Sequence, residues 1–178
     1  LVILGIDASS KCTGWAIVNS EDQSLIAFGE IQLSSYKKKK APLEFLLVLY
    51  NGIINLCQMY KPDRVYIEDI YALNMLTMKT LARVRGVVEI ACLHQGQTKI
   101  MEVKSSHLRK VVLGKGNLEK QEICSILEKR YSVPIATDEF DQSDAIMVAL
   151  CGAMKEQELL CHSNVKKPQT MKNSKKPS

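Results

Sequence analysis

Four carboxylates have the types and positions to do chemistry: Asp7, Glu68, Asp141 and Asp144. Asp7 ends the apolar run Leu1-Val2-Ile3-Leu4-Gly5-Ile6, and Glu68 ends a second, Val65-Tyr66-Ile67. Asp141 and Asp144 stand three apart in Asp141-Gln142-Ser143-Asp144-Ala145, at the head of an alanine-rich amphipathic stretch. An acid at the end of a buried strand carries a desolvation cost unless a cation neutralises it. Hard carboxylate oxygens with no Cys/His cluster beside them suit Mg²⁺, with Mn²⁺ as a substitute. Two such ions about 4 Å apart, shared between carboxylates and a substrate phosphate, are the usual apparatus of phosphodiester hydrolysis. The competing reading of Asp141 and Asp144 is that they favour a helix N-terminus through its dipole. The strand-end acids Asp7 and Glu68 tip the balance toward a metal site. Asp69, Asp138 and Glu139 are nearby acids that lack a strand end or helix face in the right register.

These acids need elements to position them. Residues 1–7, Thr13–Val18 and Ser24–Leu33 read as three strands separated by short polar links, consistent with antiparallel neighbours. The period then becomes helical through Leu43, Leu46, Leu47, Tyr50, Ile53, Ile54 and Cys57, and Lys61-Pro62-Asp63 stops it. Val65–Glu68 is a fourth strand, Asn74–Gln95 a long helix with Gly96 at its end, and Thr98–Val103 a fifth strand. Helices are expected at Ser105–Leu113, Leu118–Arg130 and 141–160. The order predicts an α/β fold: a five-stranded mixed sheet, antiparallel first and then parallel, covered by helices on both faces. Strands one, four and five form its parallel part, so Asp7 and Glu68 share the carboxyl edge, where sites collect in open α/β sheets. Asp141 and Asp144, at i and i+3, share a helix face. Ala145, Val148, Ala149 and Gly152 make a narrow stripe that allows this helix close to the sheet.

The chain of 178 residues is 46% hydrophobic and 24% charged, ordinary values for one soluble domain. We expect one folded domain over 1–162 and a basic, disordered tail over 163–178. The net charge of +5 is concentrated in that tail: its five lysines leave 19 basic and 19 acidic residues elsewhere. Affinity for nucleic acid must therefore come from local patches. No apolar run is long enough for a membrane span, and no signal peptide is expected. Six cysteines without CxxC spacing read as buried thiols of a reducing, cytoplasmic environment, the host cytoplasm if the source is viral.

Residues 103–120 hold Lys104, Arg109, Lys110, Lys115 and Lys120 against one acid, Glu119. Arg109 and Lys120 flank the turn Gly114-Lys115-Gly116 and can grip phosphates together; a solvated helix surface is the alternative. Lys37–Lys40 reads as a solvated loop. Tyr71, three residues past Glu68, is a candidate for stacking on a base, with a core tyrosine as its rival.

Several segments, taken in order, resemble the RuvC family of Holliday-junction resolvases within the RNase H-like nucleases. They are Gly5-Ile6-Asp7 with Thr13-Gly14-Trp15-Ala16, Ile67-Glu68-Asp69, Arg85-Gly86-Val87, Val111-Val112-Leu113-Gly114 with Glu119-Lys120, and Asp141-Gln142-Ser143-Asp144-Ala145. The resemblance covers about 1–157. It implies that Asp7, Glu68, Asp141 and Asp144 are the catalytic carboxylates and that Lys120 is a functional lysine. It further implies that Arg109 stands where a lysine is usual and Tyr71 where an aromatic acts near the junction centre. The family works as a homodimer through the helix after the fourth strand, here 74–95, and makes paired nicks in a four-way junction. Ala8-Ser9 replaces the usual Pro-Gly, and a planar guanidinium at Arg109 is a different phosphate binder from an ammonium. Both departures point to a divergent, phage- or virus-type member with broader branched-DNA substrates.

Three other functions fit parts of the pattern. Gly5–Gly14 resembles a phosphate turn of actin-like ATPases, which need a second domain and a longer chain. A junction-binding scaffold without activity would have no use for four intact carboxylates. A nuclease of the same fold acting on RNA–DNA hybrids or other branched DNA is separated from a resolvase only by substrate.

Overall fold

The computed structural model describes residues 1–33, 43–70, 74–97, 100–136 and 140–165. Tyr71, the Lys37–Lys40 loop, Asp138, Glu139 and residues 166–178 of the basic tail lie outside these. The elements run β1 (Val2–Asp7), β2 (Cys12–Asn19), β3 (Leu25–Gln32), α1 (Glu44–Tyr60), β4 (Arg64–Glu68), α2 (Met75–His94), β5 (Ile100–Val103), α3 (Ser105–Leu113), α4 (Lys120–Tyr131) and α5 (Asp141–Val165).

The strands form one sheet in the order β3-β2-β1-β4-β5. β1–β2 and β2–β3 are antiparallel, while β1–β4 and β4–β5 are parallel. This is the mixed sheet expected from the order of elements. Period-2 alternation divides the side chains between two cores. Leu4, Ile6, Val65 and Ile67 face α1 and α2, packing with Leu49, Ile53, Val84 and Val88. Ile3, Ala16, Val18 and Tyr66 face the other side, covered by α5 with Leu108 of α3 and Leu127 of α4. Gly5 and Asp7 share Ile3's parity, and Glu68 shares that of Tyr66. Both strand-end acids therefore face α5.

Three helix ends show their causes. α1 stops where Lys61 turns left-handed (φ 47°) before Pro62. α2 starts at Asn74, whose side chain accepts from the Leu76 and Thr77 amides. α4 is opened by a reciprocal Glu119–Glu122 capping box, two residues later than the sequence suggested. At the far end of the chain, α5 runs to Val165, past the expected boundary near 160. Among the described residues, no helix is long and apolar enough to cross a membrane.

α5 lies unusually close to the sheet because glycines face it. A Cβ on Gly5 would stand 2.7 Å from the Ala145 carbonyl oxygen, and one on Gly14 would stand 2.5 Å from the Asp141 carbonyl carbon. Helix and strand backbones thus meet without a side chain between them. Gly152 gives the same relief on the helix side, where the Tyr66 ring occupies the space a methyl would need.

Gly5→Ala must push α5 off β1. Overpacking of this kind costs about 1–3 kcal/mol, and rigid backbone neighbours put this site at the upper end. Gly116→Ala, with no atom in the way, should stay within about 0.5 kcal/mol. Urea unfolding of the two variants measures the contrast; equal stabilities would contradict the close approach.

Candidate active site

Registration puts the first two acids side by side. Ile6 pairs with Ile67 across the parallel β1–β4 ladder, so Asp7 and Glu68 follow at the same edge on strands about 4.8 Å apart. Asp7 also pairs with Gly14, the residue over which α5 begins. The first turn of α5 thereby brings Asp141 and Asp144 to Asp7. Phe140 precedes it in a left-handed conformation (φ 58°), and its carbonyl accepts from the Asp144 amide (2.9 Å) and the Ser143 hydroxyl (2.8 Å). A phenylalanine rarely adopts that conformation, and such strain is characteristic of functional sites.

The charges of the other three acids all bear on Asp7. Burial raises Asp7's pKa well above the ordinary 3.8, and the charges of Glu68, Asp144 and Asp141 raise it further, against a smaller opposing effect of Lys120. Burial likewise raises Glu68; the Ser105 hydroxyl opposes this, Asp144 reinforces it, and Lys120 and a hydrogen bond with Asp7 oppose it. Lys120, at the first position of α4, donates from Nζ to Asp144 Oδ2 (2.7 Å) and sits 5.3 Å from the Phe140 ring centre. Burial works to lower its pKa, but the hydrogen bond and charge of Asp144, then Asp7 and Glu68, hold it above the ordinary 10.5.

Several contributors were not singled out as site residues from the sequence. Ser105 donates to Glu68 Oε1 from the first turn of α3. Arg85 of α2 is nearly buried; it donates to Glu89 (2.7 Å), to Glu102 (2.8 Å) and toward the Glu68 carbonyl (3.5 Å). On the far side, Cys12, Glu30 and Asp141 bring ligand atoms within 4.8 Å of one another, a candidate metal-binding group. Burial and the charges of Asp141 and Glu30 push the Cys12 thiol pKa up, so it stays protonated and bonds to both acids.

The basic residues divide. Lys104, Lys110, Lys115 and Lys120 are exposed. Arg109 points its Nη1 at the Leu118 carbonyl (2.6 Å), which ties α3 to the segment that delivers Lys120.

The donor set fits a hard divalent cation. Its oxygens are gathered around the half-buried Asp7, whose ionisation the neighbouring carboxylates oppose more than Lys120 favours it. Asp7, Glu68, Asp141 and Asp144 are the residues that would hold the ion.

This architecture is the RNase H-like α/β fold. Its solved neighbours include Thermus thermophilus RuvC in complex with a Holliday junction substrate (TM-score 0.77, 16% identity, 89% of this chain and 96% of that one). A second is the yeast mitochondrial Holliday junction resolvase (TM-score 0.52, 13% identity, 91% and 85%). The family description "Crossover junction endodeoxyribonuclease RuvC" matches residues 3–152, so the chain belongs to the RuvC family. Similar sequences include the crossover junction endodeoxyribonucleases RuvC of Geotalea uraniireducens (30% identity, 85% of this chain and 87% of that one) and Citrifermentans bemidjiense (29%, 86% and 92%).

The raised Asp7 and Glu68 pKa values make a stability prediction. A group whose folded pKa is raised stabilises the fold fully below its unfolded value, and this is lost as pH rises through the folded one. Without metal, the wild-type melting temperature should therefore fall relative to Asp7→Asn as pH rises above about 4. Added Mg²⁺ should close the gap. Parallel pH profiles for the two proteins would contradict the crowding.

Proposed function

We propose that the chain is a Mg²⁺-dependent endonuclease that resolves four-way DNA junctions as a homodimer. The observation that carries this is the convergence of Asp7, Glu68, Asp141 and Asp144 on one sheet edge, with Lys120 beside them. The names of the relatives, crossover junction endodeoxyribonucleases, supply the substrate class.

Bound divalent ions supply Lewis-acid polarisation of the scissile phosphate and a nucleophile from water at neutral pH. The chain's own residues do the rest. Four carboxylates from three elements give the ions oxygen ligands, and their crowding keeps the site avid for cations. Lys120 keeps its charge and brings it to the place where phosphate charge must be met. Exposed Lys104, Lys110 and Lys115 extend the positive surface from the site along α3 and its following turn, suited to backbone phosphates. Arg109 supports that surface through Leu118. Tyr71 follows Glu68 by three residues and remains the candidate for stacking on a base at the junction.

The dimer reading rests on α2. At about 100° per residue, Val84, Val88, Ala91 and Cys92 form its buried side. Met75, Leu76, Ile90 and Leu93 fall on the opposite side and are exposed. That exposed side also carries Lys79 and Arg83, so it offers a mixed surface on which four large apolar side chains still await cover. A second copy using the same face gives a twofold pair of sites, which suits two opposed strands of a symmetric junction.

Two outcomes are expected. Glu68→Gln should lower junction cleavage at least about 100-fold, since even outer partners of a metal ligand are worth 10–100-fold. Gel-shift affinity for the junction should persist, and substantial residual cleavage would remove Glu68 from the site. The double substitution Leu76→Glu with Ile90→Glu should sediment as a monomer and lose paired nicking. An unchanged sedimentation coefficient would exclude α2 as the interface.

A further inference from the structure

Glu68 is restrained far more than its position at a strand end requires. Its backbone is fixed by the β4–β5 ladder, where Glu68 pairs with Val103, and by the Asp69 amide donating to the Val103 carbonyl (2.9 Å). Arg85 approaches its carbonyl from α2. The side chain would still be free to choose among rotamers, but the Ser105 hydroxyl donates to Oε1. Ser105 lies two residues beyond Val103, so the register of β5 carries it to the end of β4.

The local sequence around Ser105 is not arranged for helix stability. Serine is among the best N-cap residues and lysine is not. Yet Lys104 takes the N-cap of α3 and makes no side-chain capping bond, while Ser105 enters the helix as its first residue. Shifting the serine by one position would cap the helix and release Glu68. The hydroxyl is directed at the carboxylate instead.

We propose that Ser105 is a positioning residue that holds Glu68 in the rotamer presenting its carboxylate to the metal. This rests on the reading of the four acids as a metal site. A hydroxyl donor occupies one lone pair of Oε1 and leaves the remaining carboxylate lone pairs for the ion. It also fixes orientation before the ion arrives, so binding does not have to order the side chain. Hydrogen bonds to metal-ligating carboxylates are worth about 10–100-fold in metal affinity or activity.

The test is Mn²⁺ binding to the free protein, followed by electron paramagnetic resonance, in wild type, Ser105→Ala, Ser105→Thr and Glu68→Gln. Ser105→Ala should weaken Mn²⁺ binding about tenfold or more, and Ser105→Thr, which keeps the hydroxyl, should restore it. Cleavage by Ser105→Ala should need correspondingly more Mg²⁺ while junction affinity without metal is unchanged. Mn²⁺ affinity of Ser105→Ala within about twofold of wild type, beside a weakened Glu68→Gln, would overturn the proposal and leave the metal site standing. Ser105→Thr as impaired as Ser105→Ala would overturn it too, because the hydroxyl would not be the active group. Glu68→Gln binding as wild type does would bring down the metal reading and the proposal together.

Discussion

Where the first turn of α5 crosses Gly14 there is no room for a methyl group, and the placement of the acids follows from that contact. Two acids are fixed by strand register and two by helix phase. These two kinds of order meet only because the helix lies directly on the strands. A side chain at Gly5 or Gly14 would lift Asp141 and Asp144 away from Asp7. Under the proposed metal-site reading, small, hard ions need oxygens fixed from several directions, and the glycine contact brings oxygens together from elements far apart in sequence.

Gathering four acids at a half-buried edge opposes folding. The structure meets this cost in pieces: an ammonium on Asp144, a hydroxyl on Glu68 and a thiol on Asp141. None of these neutralises the whole cluster, and a fully neutralised cluster would have no use for a divalent cation. Loss of stability in exchange for a charged, preorganised site is a common trade in enzymes. The left-handed Phe140 adds local strain at the same point, under the lysine that tempers the cluster.

Much of this was legible in the sequence because it follows from periodicity. Asp7 and Glu68 end apolar runs, and Asp141 and Asp144 lie at i and i+3 before a small-residue stripe. Those patterns gave the strands, their parallel pairing and the shared edge. The remainder depends on contacts between distant elements. Ser105 reads locally as an ordinary helix-start serine, and its partner lies 37 residues earlier. Arg85 is one of several charged residues in its helix, and only tertiary packing shows that it alone is buried there and reaches Glu102 on β5. Cys12 reads as a buried thiol, which it is, but its contact with Asp141 links the two ends of the domain. Arg109 was singled out by its charge, and only the folded turn shows that its guanidinium holds the Leu118 carbonyl. α2 is the reverse case: its apolar residues are plain in the sequence, but which side is core and which is exposed is fixed by packing on α1 and the sheet.

The most direct test of the central claim is cleavage of a synthetic four-way junction beside linear duplex, flap and RNA–DNA hybrid made from the same arms, with and without Mg²⁺, with every nick mapped. The account predicts metal-dependent nicks paired symmetrically across the junction, carrying 5′-phosphate ends, with the duplex left intact. Binding without nicks in the presence of Mg²⁺ would contradict the catalytic reading of the four carboxylates. Nicks confined to flaps or hybrids would assign the same chemistry to a different substrate.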